Sequence, residues 1–319
     1  MEVELRHLRI LCDVADTGSI SRAAAGIGSS QPALTASVQR IERVFGGKLF
    51  VRSRSGVVPT EFGECVLARA RAVLTAAETM RRDAARWLVN GAERPIALGG
   101  IGSSLVVELA DRIARPEHVP TVSVRTEFSP IRLLELLSAG QFDAAVVSDY
   151  PGHELPPAPG VRRRPLGMQP VFVALAADHP AAAATEIDLS ALAAERWVLG
   201  PSDGAGWPES FEDACGRAGF RPRVAHRSTE LQALHRLIAA GRAISPCRVT
   251  FPATPEIAIR PLSGDPLWMR YLIAWRTDGV FGREPEALLA AAGDAYRCDT
   301  AASPAYRDWR AARGDLVLG

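Results

Sequence analysis

Gln31, Thr35, Gln39 and Arg40 fall within ten residues of one another at helical spacing. Amide, hydroxyl and guanidinium groups presented together from one helix face are the groups that bond base edges and phosphates in a DNA groove. Ser30 stands where an N-cap belongs and Pro32 sits in the first turn, where a missing N–H costs nothing. On the other side, Leu34, Val38, Ile41 and Phe45 recur at helical spacing and form an apolar stripe. Upstream, Ser19 caps a shorter helix whose Ala23, Ala24 and Ile27 are expected to face inward, and Gly26 and Gly28 break it. Two helices joined by a tight turn, the second with a polar face, is the layout of a DNA-reading helix-turn-helix. An ordinary helical hairpin in a globular core has the same pattern.

The elements around this pair are legible too. An opening helix from about Glu4 to Thr17 sets Leu5, Leu8, Leu11 and Ala15 on one face, to pack beneath the pair. Gly46-Gly47 ends the second helix, and 49–51 with 56–58 read as a two-stranded wing. Arg52 and Arg54, in its turn, are candidates for a phosphate or a narrow minor groove. Residues 1–60 carry eight basic and five acidic side chains, a balance of +3, against 24 and 27 over 90–319, a balance of −3. The charge favourable to phosphate is therefore at the N-terminal end of a chain whose net charge is only +1. Pro59-Thr60 opens a long helix to about residue 88, along which Val66, Ala70, Val73, Ala77, Met80, Ala84 and Trp87 alternate by four and three. That stripe suits a helix–helix seam with a second copy and suits equally a helix buried against its own domain.

A polar break at 90–95 marks a boundary. Beyond it, short apolar strands alternate with helices, the signature of an α/β fold with parallel sheets. Strands are expected at 96–99, 121–128, 143–148, 171–176, 196–199, 223–226, 243–246 and 268–275, and helices at 105–114, 131–139, 209–218 and 230–240. Ligands of open α/β sheets bind beyond the carboxyl ends of strands, where helix N-termini point. Ser103, Ser104, Ser129, Ser202 and Thr229 all occur at such points, although each alone reads more readily as a plain helix cap. Trp207 is expected to pack between halves of the fold, Arg162 to Arg164 to form a solvated face, and residues 301–319 form an extension without a readable pattern.

Hydrophobic residues make up 47% of the 319 and charged residues 23%, in keeping with real cores. No apolar run reaches the length of about 18 residues that would cross a membrane, and the charged N-terminus lacks a signal-peptide pattern, so a cytoplasmic location is expected. No nucleophile elbow, HExxH or Walker motif occurs, and the six histidines show no metal spacing. Neither catalysis nor a cofactor is expected, and the five cysteines, without CxxC, read as reduced structural thiols.

The stretch 4–63 resembles the N-terminal domain of LysR-type transcriptional regulators, through Leu5, Leu8 and Leu11, Gly18-Ser19-Ile20, Ala23-Ala24, 30–34 (SQPAL), Ile41-Glu42, Leu49-Phe50, Arg52, Gly56-Val57, Thr60 and Gly63. Residues 140–147 (GQFDAAVV) are similar to the family's effector domain, and Asp178-His179-Pro180, Ala218-Gly219-Phe220 and Ala239-Ala240-Gly241 are weaker landmarks. The resemblance implies a multidomain α and α/β chain: a winged helix-turn-helix over 1–60, a linker helix over 61–89, and an effector domain over 90–300. The last would be a two-subdomain, type 2 periplasmic-binding-protein-like fold, with subdomain I at 96–160 and 262–300 and subdomain II at 161–261. It implies binding of double-stranded DNA at an inverted repeat by Ser30, Gln31, Pro32, Thr35, Gln39, Arg40, Arg52 and Arg54. It further implies a homodimer or homotetramer formed along Val66, Ala70, Val73, Ala77 and Met80, RNA polymerase as a partner, and a small, anionic effector held by Ser103, Ser104, Ser129, Ser202 and Thr229. Ala36 stands where relatives commonly carry an arginine, Ser29 where an apolar residue is usual and Ser37 where glutamine is frequent. More of the base readout then falls to Gln31, Pro32, Thr35 and Gln39. Redox-sensing members exist in that family, so Cys215 and Cys247 are the thiols to titrate. A solute-binding or enzymatic α/β protein, and a DNA-binding regulator needing no effector, are the alternatives.

Overall fold

The computed structural model describes residues 3–53, 56–90, 95–102, 104–114 and 121–313, with backbone alone at 52, 53, 75, 78, 79, 82, 83 and 85–90. The chain divides into two compact units, residues 1–92 and 93–319.

In the first unit, α1 (Leu5–Thr17), α2 (Ile20–Gly26) and α3 (Gln31–Phe45) are followed by a hairpin of β1 (Phe50–Ser53) and β2 (Gly56–Pro59), then by α4 (Glu61–Asn90). Each start has its local cause. The Ser19 hydroxyl accepts from the Arg22 N–H and that of Ser30 from the Ala33 N–H, while Thr60 Oγ1 accepts from the Gly63 N–H. Leu11, Val14, Ala23, Ala24, Leu34, Ile41 and Leu67 form one buried core. Two expected core residues are turned out instead, Leu5 at 40% and Ile27 at 42% exposed, whereas Val14, not expected in the core, is fully buried. A helix face narrower than the apolar stripe leaves its edges in water.

The wing is fastened by a buried carboxylate. Glu42 Oε1 accepts from the backbone N–H of Leu49 and of Phe50, at 3.0 and 3.4 Å, and Lys48 Nζ lies 2.7 Å from Oε2. Gly63 allows α4 to cross β1 closely, since a Cβ there would lie 2.0 Å from the Leu49 carbonyl oxygen.

The described residues of the second unit form a five-stranded, a three-stranded and a two-stranded sheet, the last two side by side. In the first, the order is β4 (Val122–Glu127), β3 (Ile96–Ile101), β5 (Ala144–Asp149), β12 (Trp268–Arg276), β6 (Val161–Pro170). The first three are parallel, and β12 runs antiparallel to both neighbours. Helices α5 (Ser104–Ile113) and α6 (Pro130–Ser138) pack against β3, where a Cβ on Gly100 or Gly99 would collide with Val106 or with Leu133 and Phe142. The second group comprises β7 (Phe172–Ala176) between β10 (Ser245–Cys247) and β11 (Ile257–Arg260), both antiparallel to it. Beside them lie β8 (Arg196–Leu199) and β9 (Arg223–Arg227), parallel to each other, with α7 (Glu209–Arg217) and α8 (Leu231–Ala239).

The five-stranded sheet is thus mixed and the three-stranded one antiparallel, while the expected parallel pairing holds among β3, β4 and β5 and between β8 and β9. Because β6 hydrogen-bonds along β12, residues 161–170 belong with the first sheet, and the chain crosses to the second at 170–172 rather than at 160–161. It returns between β11 and β12. Two further helices follow, α9 (Glu286–Ala301) and α10 (Pro304–Arg313). The latter is part of the core: Trp309 and Tyr306 are buried beside Phe172, Ile257 and Val249, and Arg313 pairs with Asp265 and Glu186 at 2.8 and 2.7 Å.

Buried charge holds the first sheet in register. Asp143 accepts from the Ala97 N–H at 2.9 Å, and Asp149 receives both arms of Arg270 at 2.8 Å together with the Leu155 N–H. A buried carboxylate survives when every lone pair in reach has a donor.

Candidate functional site

Two sites emerge, one in each unit. On α3, the buried side is Leu34, Val38, Ile41 and Glu42, and Ser30, Gln31, Pro32, Gln39 and Arg40 are exposed together on the opposite side. Thr35 is half-buried, and its hydroxyl is spent on the Gln31 carbonyl at 2.8 Å, as that of Ser37 is on Ala33 at 3.0 Å. The long polar side chains exposed on this face are those of Gln31, Gln39 and Arg40. The Ser30 hydroxyl is the helix cap. The hairpin expected as a wing is present; the side chain of Arg52 and all of Arg54 lie outside the described residues.

Along α4 the seven-residue stripe splits. Ala70 is 2% exposed and Val66 half-buried, both against the core of their own domain, where Leu67 and Leu74 join them. Farther along, Val73 is 47% and Met80 71% exposed, and Ala77 is half-buried. Val66 and Ala70 thus pack on the core of their own domain, and Val73 and Met80 are the large exposed members of the stripe. Trp87 has no described side chain.

In the second unit a cavity of about 720 Å³ opens between the five-stranded sheet and the other two, at the carboxyl ends of β3, β4 and β8. Its volume is in the range of small-molecule sites. Its walls are largely apolar, with Phe128, Tyr150, Trp207, Leu231, Phe251 and Met269 among them, and Thr126, Ser148, Ser228, Thr229 and Ser245 contribute hydroxyls. Trp207 stacks on Tyr150 with ring centres 5.8 Å apart, and it also lines the cavity.

Of the five expected contacts, the cavity brings together Ser104 and Thr229. Ser104 already donates its hydroxyl to Asp299. Ser129 is not in the lining: its Oγ donates to the Asp203 carbonyl at 2.6 Å and accepts the Arg132 N–H, which makes it a cap and a tie between loops. Ser202 is exposed and outside the lining as well, and Ser103 lies outside the described residues. Arg162 to Arg164 sit on β6 away from the cavity, with Arg163 donating to the Leu155 carbonyl.

The charged group in the lining that sequence reasoning missed is Arg248, just after β10. Asp203, also missed, has a carboxyl pushed up by burial, and its Oδ1 accepts the N–H of Ala205 and of Trp207 at 2.7 and 3.1 Å. No local motif announces either residue. Cys247 lines the same wall, but burial raises its thiol far above the usual range, and the Cys215 thiol is pushed up to about 12. Such thiols carry little thiolate and are inert. Among the described residues, no group of His, Cys, Asp or Glu is arranged to hold a metal, and no helix is long and apolar enough to cross a membrane.

Residues 5–64 match the bacterial regulatory helix-turn-helix protein family, lysR type, and residues 96–297 match the LysR substrate binding domain. Over 319 residues the chain is 38% identical to the small neutral protease regulatory protein of Streptomyces coelicolor, spanning all of this chain and 94% of that one. It is 25% identical to the Hca operon transcriptional activator HcaR of Escherichia coli over 285 residues, 86% of this chain and 92% of that one. Among solved structures, CbnR, a LysR family transcriptional regulator, is similar with a TM-score of 0.56 at 23% identity, over 93% of this chain and 99% of the other. A Corynebacterium glutamicum OxyR mutant is similar with a TM-score of 0.54 at 24% identity, over 95% and 94%. The exposed polar face of α3, the wing behind it and the ligand-sized cavity of the α/β unit are the parts such a regulator uses, and the chain belongs to the LysR family of DNA-binding transcriptional regulators with an effector-binding domain.

Proposed function

We propose that the chain works as a homodimer or dimer of dimers on an inverted-repeat operator. In this reading α3 of each protomer enters a major groove, with half-sites about 10 bp apart. The helix α4 carries the contact between copies through Val73, Ala77 and Met80, and the wing arginines Arg52 and Arg54 meet phosphate. A small anionic effector occupies the cavity and prefers one arrangement of the assembly, since a ligand with equal affinity for both shifts nothing. RNA polymerase is the partner through which the bound regulator acts, in the cytoplasm. Similarity to a small neutral protease regulator makes a protease gene the first target to examine.

One observation carries the reading: a cavity of ligand size, with hydroxyls and an arginine set in apolar walls, in a chain that also presents a groove-sized polar helix face. The test is operator binding followed by anisotropy while small acids are added to the wild type and to Thr229→Trp, which sets a bulky ring in the cavity's lining. The operator half-saturation point should move with an effector in the wild type and stay still in the variant. A regulator that needs no effector would bind the operator identically in every case.

A further inference from the structure

Arg248 is the single Lys or Arg among the described residues lining the cavity. It follows β10, in the second sheet's half of the unit, and its guanidinium donates across the cleft to the carbonyl of Gly102, at the end of β3 in the first. The buried phenol of Tyr271, on β12, lies beside the same group: burial pushes that phenol up and Arg248 opposes the shift. Asp299 feels the charge of Arg248 but takes the Ser104 hydroxyl, and no ion pair to Arg248 forms within the described residues.

The two acids of the lining are committed elsewhere. Asp203 holds the backbone of its own loop, and Glu127 lies 3.9 Å from Arg125. A cation whose present partners, the Gly102 carbonyl and the Tyr271 phenol, are both neutral therefore faces a space walled in part by Phe128, Trp207, Leu231 and Phe251. Such walls return little solvation to a compact, strongly hydrated anion such as phosphate, and they favour a ligand with an apolar body. A planar guanidinium matches a carboxylate with two parallel hydrogen bonds.

We propose that Arg248 is the effector's anion receptor and that the effector class is a monocarboxylate with an aromatic or comparably flat apolar body. The carboxylate accepts from the guanidinium that now bridges to Gly102, and the ring lies against Phe128 and Trp207. Because that bridge joins the two halves of the unit, the anion acts directly on a contact between them. The assignment rests on the cavity being the effector site and narrows what enters it.

The experiment is calorimetric titration of the full-length protein with phenylacetate and indole-3-acetate, with the corresponding amides, and with acetate. These are run on wild type, Arg248→Gln and Arg248→Lys, with thermal midpoints recorded without ligand. The expected result is binding of an aromatic carboxylate and weak or absent binding of its amide and of acetate. Arg248→Gln should lose about ten- to a hundredfold in carboxylate affinity, and Arg248→Lys, which keeps charge but not the fork, should fall between. Should Arg248→Gln fail to fold, the Lys variant must still weaken the carboxylate without altering the amide. Equal affinity of wild type and variants for the carboxylate, tighter binding of the amide, or no binding of either carboxylate overturns the assignment. Loss of binding in Thr229→Trp while the amide binds as well as the acid would keep the cavity as effector site and remove Arg248 alone. Unchanged binding in Thr229→Trp would remove the cavity itself.

Discussion

Glu42 illustrates how a single side chain decides whether the DNA-facing unit is correctly assembled. Its carboxylate is the acceptor for two backbone N–H groups at the foot of the wing. Substitution by alanine leaves those donors buried and unpaired, which costs about 1–3 kcal/mol. Chemical denaturation should report a lowered midpoint for Glu42→Ala with an unchanged slope. On the outer face the effects are of another kind. Gln31→Ala and Gln39→Ala should leave the midpoint alone, and each should weaken the cognate operator by about 1–3 kcal/mol for every base it no longer reads. Arg52→Ala should weaken all sequences alike and reduce the salt slope by about 1. The cysteines make a third prediction. Cys65 and Cys298 are exposed, whereas Cys12, Cys215 and Cys247 are buried with thiols raised by burial. A water-soluble disulfide reagent at pH 8 should label Cys65 and Cys298 promptly and the other three only after denaturation. Fast labelling of Cys215 or Cys247 would revive the redox reading.

At the scale of elements, the C-terminal helix tests the packing account. Trp309 is 5% exposed, lies edge-on to Trp268 and Phe172, and donates to Asp265 at 2.8 Å. Its replacement by alanine should cost about 3–5 kcal/mol, read as a lower thermal midpoint of the full chain, with α3 still able to bind DNA. Little in the sequence of α10 foretells this, because its apolar residues are two aromatics amid arginines, a composition that reads as surface. Similar reasons hid β6, whose Arg162 to Arg164, Pro165 and Gly167 look like a loop. Proline is tolerated there because β6 is the sheet's edge and pairs only with β12. Gly167 is needed because the ring of Tyr296 lies where its Cβ would be. By contrast, α3 and β5 were legible in full, since each buries a side or a whole strand of apolar residues with an unmistakable period. The site was less legible than the fold. Helix caps and ligand hydroxyls look alike in sequence: Ser129 proved to be a cap and Thr229 a cavity residue. Arg248 acquires its role only by meeting Gly102, 146 positions away.

For the whole molecule, the two units divide the work. One presents a polar helix face of groove-reading chemistry, and the other encloses a cavity large enough for a metabolite. Within the linker, the exposed Val73 and Met80 follow the point at which α4 has finished packing on its own domain. In the proposed dimer, pairing of two copies there would fix the distance between recognition helices and so the spacing of half-sites. Val73→Glu with Met80→Glu should lower the sedimentation coefficient and weaken operator binding together, while the thermal midpoint of the α/β unit stays in place. The most direct measurement is a quantitative footprint of the full chain on the DNA flanking its own coding sequence, titrated across salt, with Gln31→Ala beside the wild type. The account predicts two protected half-sites about 10 bp apart, with dyad symmetry, protection that weakens as salt rises, and loss of both half-sites together in the variant. Specific protection without dyad symmetry, or protection that Gln31→Ala leaves unaltered, would contradict it.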